Sequence, residues 1–218
     1  MKFFRALVIV LTGLASSGSL ALSEEELNLV TFENNTGSEI TYLYFSPEDS
    51  SNWGPDVLGA TRVLEDGDSL GFYIHYPDSC NEFDVMAEDS EENTFVLFGY
   101  EICDDEQPVF EFVSKDLNDD VVITDLIELG IRNDTDYEML YVFISPSDST
   151  MWGADLLDEN TILEPGEEIS FLFPSSAGSQ TYDFASIDED GDHYRFSITL
   201  DVSNDGIVIP IELTDLSN

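Results

Sequence analysis

The sequence predicts an all-β protein made of two tandem antiparallel β-sandwich domains of the Ig-like or C2-like type. Three observations predict this fold. A long phrase occurs twice in the chain, and short runs rich in aromatic and β-branched residues alternate with turn residues. The only helical candidate is a turn or two at 53–58 and in its copy at 152–157. Each copy holds roughly six or seven strand-like runs in about 90 residues, which is typical of a sandwich.

The duplicated phrase determines the predicted domain organisation. Segment 42–58 recurs as segment 141–157, and equivalent residues are always 99 positions apart. A constant offset over a whole domain length indicates tandem duplication and not a short-period solenoid. We therefore predict a signal peptide at 1–21, a first copy at 22–115, a linker at 116–126 and a second copy at 127–218. Equivalent pairs include Asn34 and Asn133, Trp53 and Trp152, Gly67 and Gly166, and Asp84 and Asp183.

The strands follow one another in the same order in each copy. In the first copy, a partly alternating run at 27–32 precedes the turn residues Asn34-Asn-Thr-Gly37, and a β-rich run at 40–45 ends at Ser46-Pro47. Further strands are predicted at 70–76, 83–87 and 94–100, with a closing strand at 109–113. In the second copy, Asp190-Gly191 supplies a dipeptide favoured in hairpin turns.

The first 21 residues have the order of a secretory signal peptide. Lys2 and Arg5 form a basic head, 6–14 is apolar, and 19–21 is a small-x-small cleavage pattern. The apolar run falls short of the roughly 20 residues that a spanning helix needs. We therefore expect a soluble protein that is secreted or periplasmic after removal of the signal peptide.

Acidity is the strongest compositional signal. Without the signal peptide, four basic residues remain against 47 carboxylates, so the net charge is 4 − 47 = −43. Such a charge repels nucleic acids and anionic membranes and attracts cations or a cationic protein. A solvated acidic surface that keeps the protein soluble explains this charge more simply than a specific acidic binding site does. Because aromatic and β-branched residues recur throughout, the chain can nevertheless bury a core.

The two cysteines both lie in the first copy. An even pair in an exported protein most often forms a disulfide, so we predict a bond between Cys80 and Cys103. The equivalent residues of the second copy are Ser179 and Val202, and the fold therefore does not require the bond.

No motif commits the chain to a catalytic chemistry. His75 and His193 occupy non-equivalent positions, and no serine lies in a G-x-S-x-G context. Glycoside hydrolases use a pair of carboxylates, but among 47 acids such pairs can always be found, so they do not indicate this activity. We therefore predict no catalytic residue and no enzyme, with an unrecognised hydrolase as a remote alternative.

A calcium site is the most specific alternative to a plain surface. Asp188, Asp190 and Asp192 place oxygen atoms at alternate positions around Gly191, as calcium loops do. The EF-hand pattern fails, because no closing glutamate stands at the required distance. We favour an acidic hairpin turn, and we predict no cofactor, with calcium as the open alternative.

The repeated Trp-Gly-x-Asp loops allow two interpretations. As structure, each indole plugs one end of its sandwich while Asp56 or Asp155 accepts hydrogen bonds from backbone amides. As function, Trp53 and Trp152 beside these acids hold a sugar or a cationic group. We favour structure, because large aromatic side chains contribute most through burial.

Together these motifs resemble an uncharacterised family of exported bacterial β-sandwich domains that occur singly or in tandem. The resemblance rests on the Asn-x-Thr turn, the strand into Ser-Pro, Trp-Gly-x-Asp-x-Leu, a later glycine turn and the Tyr/Phe-Asp hairpin. It implies a β-sandwich, export and a cysteine pair around the acidic hairpin, and no activity. The second copy departs from the cysteine pattern. We thus expect an exported, non-catalytic binding or surface-interaction protein, with a calcium-binding adhesion-like module as the alternative.

Overall fold

The predicted all-β fold is confirmed. The computed structural model describes residues 22–75, 80–103, 108–118, 121, 126–174 and 179–217. The predicted signal peptide and positions 119–120 and 122–125 of the predicted linker lie outside the described residues. The strands of the first copy are β1 (Leu27–Asn35), β2 (Ile40–Pro47), β3 (Ser69–His75), β4 (Cys80–Asp89), β5 (Thr94–Cys103) and β6 (Val109–Val113).

The second copy repeats this order and adds one short strand. Its strands are β7 (Leu126–Asn133), β8 (Met139–Pro146), β9 (Gly153–Ala154), β10 (Glu168–Pro174), β11 (Gln180–Asp188), β12 (His193–Leu200) and β13 (Ile207–Ile211). Leu126, which we predicted to end the linker, already begins β7. Leu117 forms a bridge to Phe95, so the start of the predicted linker packs on the first copy.

Each copy contains two sheets whose inner faces form a sandwich. The first copy has the strand orders β6-β1-β3 and β2-β4-β5, and the second has β13-β7-β10 and β8-β11-β12. All neighbouring strands are antiparallel except β1 with β6 and β7 with β13, which are parallel. This departs from the predicted antiparallel sheets at one pair in each copy. The reason is that the chain crosses after β5 from one sheet to the other. The next strand, β6, then lies beside β1 and runs in the same direction.

The buried core is rich in phenylalanine. In the first copy Phe32 and Phe110 stack with ring centroids 5.0 Å apart, and Phe45 stacks on Phe83 at 4.8 Å. These rings come from both sheets and are almost fully buried. Buried residues of the two copies belong to one continuous apolar cluster. Since apolar burial is the main driving force of folding, the two copies share much of their stability.

The Asn-x-Thr motif is a structural turn in both copies. The fully buried Asn34 donates from Nδ2 to the carbonyl oxygens of Ser38 (2.8 Å) and Leu64 (2.7 Å). Its Oδ1 accepts the backbone N–H of Thr36 at 3.1 Å. Asn133 makes the equivalent bonds in the second copy. Because a buried polar side chain must find partners, the turn ties the first strand of each copy to the loop before its third.

The helical turn that we predicted at 53–58 and 152–157 is wrong. No helix forms there, since Asp56 forms a bridge with Tyr44, Gly153–Ala154 is strand β9, and the residues that follow, from 57 and from 156, form a turn and a bend. Gly153 has φ +77, a conformation that favours glycine and turns the chain into β9. The helices of the described residues are short 3-10 turns, and none is long and apolar enough to cross a membrane.

Candidate functional site

The two Trp-Gly-x-Asp loops are braced by their aspartates. Asp56 is fully buried, and its Oδ1 accepts the backbone N–H groups of Leu43 (2.8 Å) and Leu58 (3.1 Å). Asp155 makes the equivalent two bonds in the second copy at the same distances. Each loop is thereby fastened to the second strand of its own copy, as the structural interpretation of the motif requires.

Each loop also pairs with the other copy. The backbone N–H of Asp56 donates to the carbonyl of Leu172 in β10, and that of Asp155 donates to Tyr73 in β3, both at 2.7 Å. Tyr73 and Leu172 are themselves equivalent positions, 99 residues apart. The contact therefore has a local two-fold pseudosymmetry, and β9 becomes an edge strand beside β3.

The residues before each tryptophan repeat this exchange. Asp49 accepts hydrogen bonds from Ser149 Oγ at 2.7 Å and from the Thr150 N–H at 2.9 Å. Its equivalent, Asp148, accepts from Ser50 Oγ at 2.9 Å and from Ser51 Oγ at 3.0 Å. Carboxylates that meet hydroxyl and amide donors are satisfied without a basic partner. This explains how an acidic chain forms a close contact between its own halves.

Arg62 crosses the same contact. It donates to the carbonyls of Leu58 (Nε, 2.8 Å) and Val57 (Nη2, 2.8 Å) in its own copy. It also donates from Nη2 to Leu156 at 3.2 Å and forms an ion pair with Asp158 in the second copy. The ion pair between Arg62 and Asp158 has no counterpart on the other side of the pseudosymmetric contact, because Thr161 occupies the position equivalent to Arg62.

The two loop aspartates have strongly altered acidity. Burial raises the pKa of Asp56 to about 7 and that of Asp155 to about 8, although their backbone hydrogen bonds and the charge of Arg62 act to lower both. The Oδ2 atom of each has no hydrogen-bond partner among the described residues. Both groups are enclosed, so we assign them to the stability of the contact and not to a ligand.

The two tryptophans are not equivalent in the structure. Trp152 is 3% exposed, whereas Trp53 is half-buried. Trp152 lies outside the main core, in a separate apolar cluster. This cluster includes Phe143 of β8, whose neighbours Val142 and Ile144 belong to the main core, because alternate residues of a strand face opposite sides of the sheet. The buried members of that cluster are Leu22, Phe143, Trp152, Ala185 and Ile187.

The acidic hairpin of the second copy is arranged as a hydrogen-bonded turn. The buried Asp188 accepts from the N–H groups of Asp190 (3.0 Å) and Asp192 (2.9 Å) through Oδ1. Its Oδ2 accepts the hydroxyl of Tyr194 at 2.9 Å. Asp190 and Asp192 are exposed, and the oxygens of the three acids do not converge as a ligand set would. This geometry favours the hairpin interpretation, and calcium binding stays the untested alternative.

The disulfide between Cys80 and Cys103 is present, and it stands beside an acidic cleft. The cleft has a volume of about 340 Å³ and is formed mostly by the first copy. Its lining residues are Glu48, Asp49, Cys80, Asn81, Glu82, Glu101 and Met151.

The two cysteines beside this cleft are not available as metal ligands. Cys80, Glu101 and Cys103 are the one group of three potential metal ligands found within the part of the chain that the structure describes. Both sulfur atoms are engaged in the disulfide, and a cysteine binds a metal only as a thiolate. The cleft therefore offers carboxylates only.

Sequence reasoning missed this cleft. Four of its seven lining residues are acidic and none is basic. Glu82 and Glu101 face each other as partners on β4 and β5, and the N–H of Glu48 donates to the carbonyl of Glu82 at 3.1 Å. The predicted disulfide could have led to it, because a bond between Cys80 and Cys103 implies that Glu82 and Glu101 also pair.

The histidines do not form part of the cleft. His75 is fully buried and its Nε2 lies 3.3 Å from Glu26 Oε2. Burial lowers the pKa of both His75 and His193, which favours the neutral imidazole.

Comparisons with known proteins leave the family of the chain open. No family model matches it, and no curated protein matches it. Among solved structures, it is similar to CBMbc, a family CBM26 module of Eubacterium rectale Amy13K, in complex with maltoheptaose. The identity is 10%, the match covers 84% of this chain and 91% of that chain, and the TM-score is 0.26. A similarity of this size carries no inference about a ligand.

Proposed function

We propose that this is an exported, non-catalytic binding protein that holds a cationic partner at the acidic cleft. The observation that carries the proposal is the composition of the cleft, in which Glu48, Asp49, Glu82 and Glu101 line about 340 Å³ without a basic residue. A surface depression lined by one sign of charge concentrates field lines and raises the local concentration of ligands of opposite charge.

Two of these carboxylates oppose each other directly. Glu82 and Glu101 are exposed and occupy partner positions on β4 and β5. Like charges on opposite residues of neighbouring strands are unfavourable, by up to about 1 kcal/mol. A bound cation relieves this repulsion, so the arrangement costs stability in the free protein and favours the complex.

The charge of the cleft is specific to the first copy. The equivalents of Glu48, Glu82 and Glu101 in the second copy are uncharged, and only the equivalent of Asp49 is acidic. These equivalents are Ser147, Asp148, Thr181 and Leu200. Because the same fold forms without three of the four acids, the fold does not require them. A difference between duplicated copies supports a role in binding.

The partner follows from the sign of the charge. With a net charge of −41 for the full chain, nucleic acids and anionic membranes are repelled. A lysine- or arginine-rich protein segment is attracted at long range and finds carboxylate acceptors in the cleft. The proposal therefore includes that the protein binds neither anionic lipids nor nucleic acids.

Binding of heptalysine in 20 mM and 500 mM NaCl tests the proposal. The Glu82→Gln/Glu101→Gln variant should bind about tenfold more weakly at low salt, since two exposed ion pairs contribute roughly 1.4 kcal/mol together. The matched control is Glu189→Gln/Asp190→Asn, which removes the same charge from the exposed hairpin of the second copy. If both variants lose affinity equally, only the diffuse field of the protein acts and the cleft is not a site.

A further inference from the structure

The edge of β5 beside the acidic cleft exposes aromatic side chains. Residues 98–101 are four consecutive exposed positions in an otherwise partly buried strand. Phe98 is 59% exposed, and Tyr100 is 36% exposed, although one side of its ring contacts the core residue Phe110 with the ring centroids 4.6 Å apart. The last of the four, Glu101, lines the cleft. An aromatic surface and an acidic surface thus meet on one strand.

This part of β5 is also an open sheet edge. β5 pairs with β4 on one side, and within the described residues its other side is bridged only near its start, by Leu117 to Phe95. An unpaired edge presents free N–H and C=O groups that another extended chain can pair with. Natural proteins usually protect such edges with charged side chains, and here two of the exposed residues are aromatic.

A bulge produces the exposure. Gly99 has φ +58, and its N–H donates to Asp84 Oδ1 at 2.8 Å. The pairing of β4 with β5 shifts by one residue at this point, between Phe83 and Val85. An extra residue in one strand redirects the neighbouring side chains. The bulge therefore leaves Phe98 outside the core.

The second copy has the same open edge at β12, but it lacks the exposed aromatic side chains and the bulge. The positions of Phe98 and Tyr100 are taken by Ser197 and Thr199, and Ile198 stands in place of Gly99. The pairing of β11 with β12 is continuous there, and Ser197 donates to Asp183 at 2.6 Å. The exposed aromatic edge is consequently not a requirement of the fold.

We infer that the edge of β5 binds an extended segment of the cationic partner in which aromatic or aliphatic residues alternate with lysine or arginine. The apolar side chains pack on Phe98 and Tyr100, while the basic side chains reach Glu82 and Glu101. The segment adds its backbone to the open edge, a common mode of peptide recognition. This inference rests on the proposed function and names the partner of the same site.

Charge complementarity selects this occupant over a second copy of the chain. Two molecules that each carry −41 repel one another, and their β5 edges would bring two acidic clefts together. A basic segment meets carboxylates at the same place. Because binding here depends on opposite electrostatic potentials of the two partners, acidic and neutral segments are not expected to bind at this edge.

Two peptide probes, compared by fluorescence anisotropy, test the inference. One is Lys-Tyr-Lys-Tyr-Lys-Tyr-Lys and the other is heptalysine. We expect Phe98→Ser, which introduces the residue of the second copy, to weaken the alternating peptide at least fivefold and to leave heptalysine unchanged. Glu82→Gln/Glu101→Gln should weaken both. The control is Val202→Ser, which removes an apolar side chain that is 65% exposed on the second copy; it should change neither affinity.

The outcomes separate this inference from the proposed function. If Phe98→Ser leaves the alternating peptide unaffected while the glutamate variant weakens both probes, the β5 edge is not a docking surface and the acidic site stands. If neither probe binds the wild-type protein at low salt, both proposals fail. Dimerisation seen by sedimentation and abolished by Phe98→Ser would overturn the inference in favour of a second copy. Phe98 is exposed, so the variant should retain the wild-type melting temperature.

Discussion

Arg62 of the first copy forms an ion pair with Asp158 of the second copy, across the contact between them. The remaining N–H groups of Arg62 donate to backbone carbonyls in both copies. In a chain with six basic residues and 47 acidic ones, one of the few cations is thus used to join the halves. The planar guanidinium suits this position, since it can serve several acceptors at once.

Arg62→Ala should lower the free energy of unfolding by about 3 kcal/mol, because it removes the charge partner of the largely buried Asp158 and a donor to several backbone carbonyls. Urea unfolding measures the change. The matched control is Arg132→Ala, whose ion pair with Asp134 is on the surface, so that its loss should change the free energy of unfolding far less. Equal losses in the two variants would show that the contact between the copies does not depend on Arg62.

Asp155→Asn should alter the pH dependence of stability. The pKa of Asp155 is raised to about 8 in the folded protein, above its value in the unfolded chain. Its contribution is therefore fully present below pH 4 or so and is lost as pH rises through about 8. Asparagine resembles the protonated acid and does not ionise. Relative to wild type, the variant should gain about 2 kcal/mol or more between pH 5 and pH 8.5, measured by urea unfolding.

The control for this experiment is Asp134→Asn. Arg132 lowers the pKa of Asp134, so this carboxyl is ionised in both states across the same pH range. Its variant should differ from wild type by a constant amount between pH 5 and pH 8.5. A constant difference for Asp155→Asn as well would mean that Asp155 is already charged in the folded protein at pH 5.

Trp152→Ala should be more damaging than Trp53→Ala. Trp152 is 3% exposed and packs in its own apolar cluster, so its truncation should cost about 3–4 kcal/mol, whereas the half-buried Trp53 should cost less. Because Gly153 follows Trp152 and pairs with His75 in β3, we expect faster hydrogen exchange in β3 as well as in β8. Exchange confined to the second copy would show that the copies open independently.

Sodium chloride should stabilise the protein. Most of the carboxylates have no basic partner, and their repulsion opposes the compact state. The melting temperature should rise with NaCl and level off near 1 M, where the screening length is about 3 Å. Calcium added at constant high NaCl should produce no further shift, because both oxygens of Asp188 already accept hydrogen bonds. A saturable calcium shift that Asp190→Asn abolishes would establish a metal site at the hairpin.

Some features follow from local sequence alone. The buried aspartates were predicted to bind backbone amides, and they do, since an aspartate after a tight bend reaches N–H groups a few residues away. The pair Cys80 and Cys103 was predicted from parity and expected export, and the bond is present. The repeat of 99 residues also ensured that each strand identified in one copy had a counterpart in the other. Local propensity and duplication carry this information because neither depends on how the two copies meet.

The site depended on tertiary structure. Arg62 and Asp158 are 96 positions apart, and nothing in either neighbourhood indicates that one reaches the other. The two Trp-Gly-x-Asp loops were expected to serve their own copies, yet each hydrogen-bonds to a strand of the other. Glu82 and Glu101 become opposed carboxylates only through the register of β4 with β5, and a bulge at Gly99 decides which way Phe98 points. Strand register and the contact between copies are set by the simultaneous packing of distant side chains, and a one-residue shift reverses the face of every residue that follows.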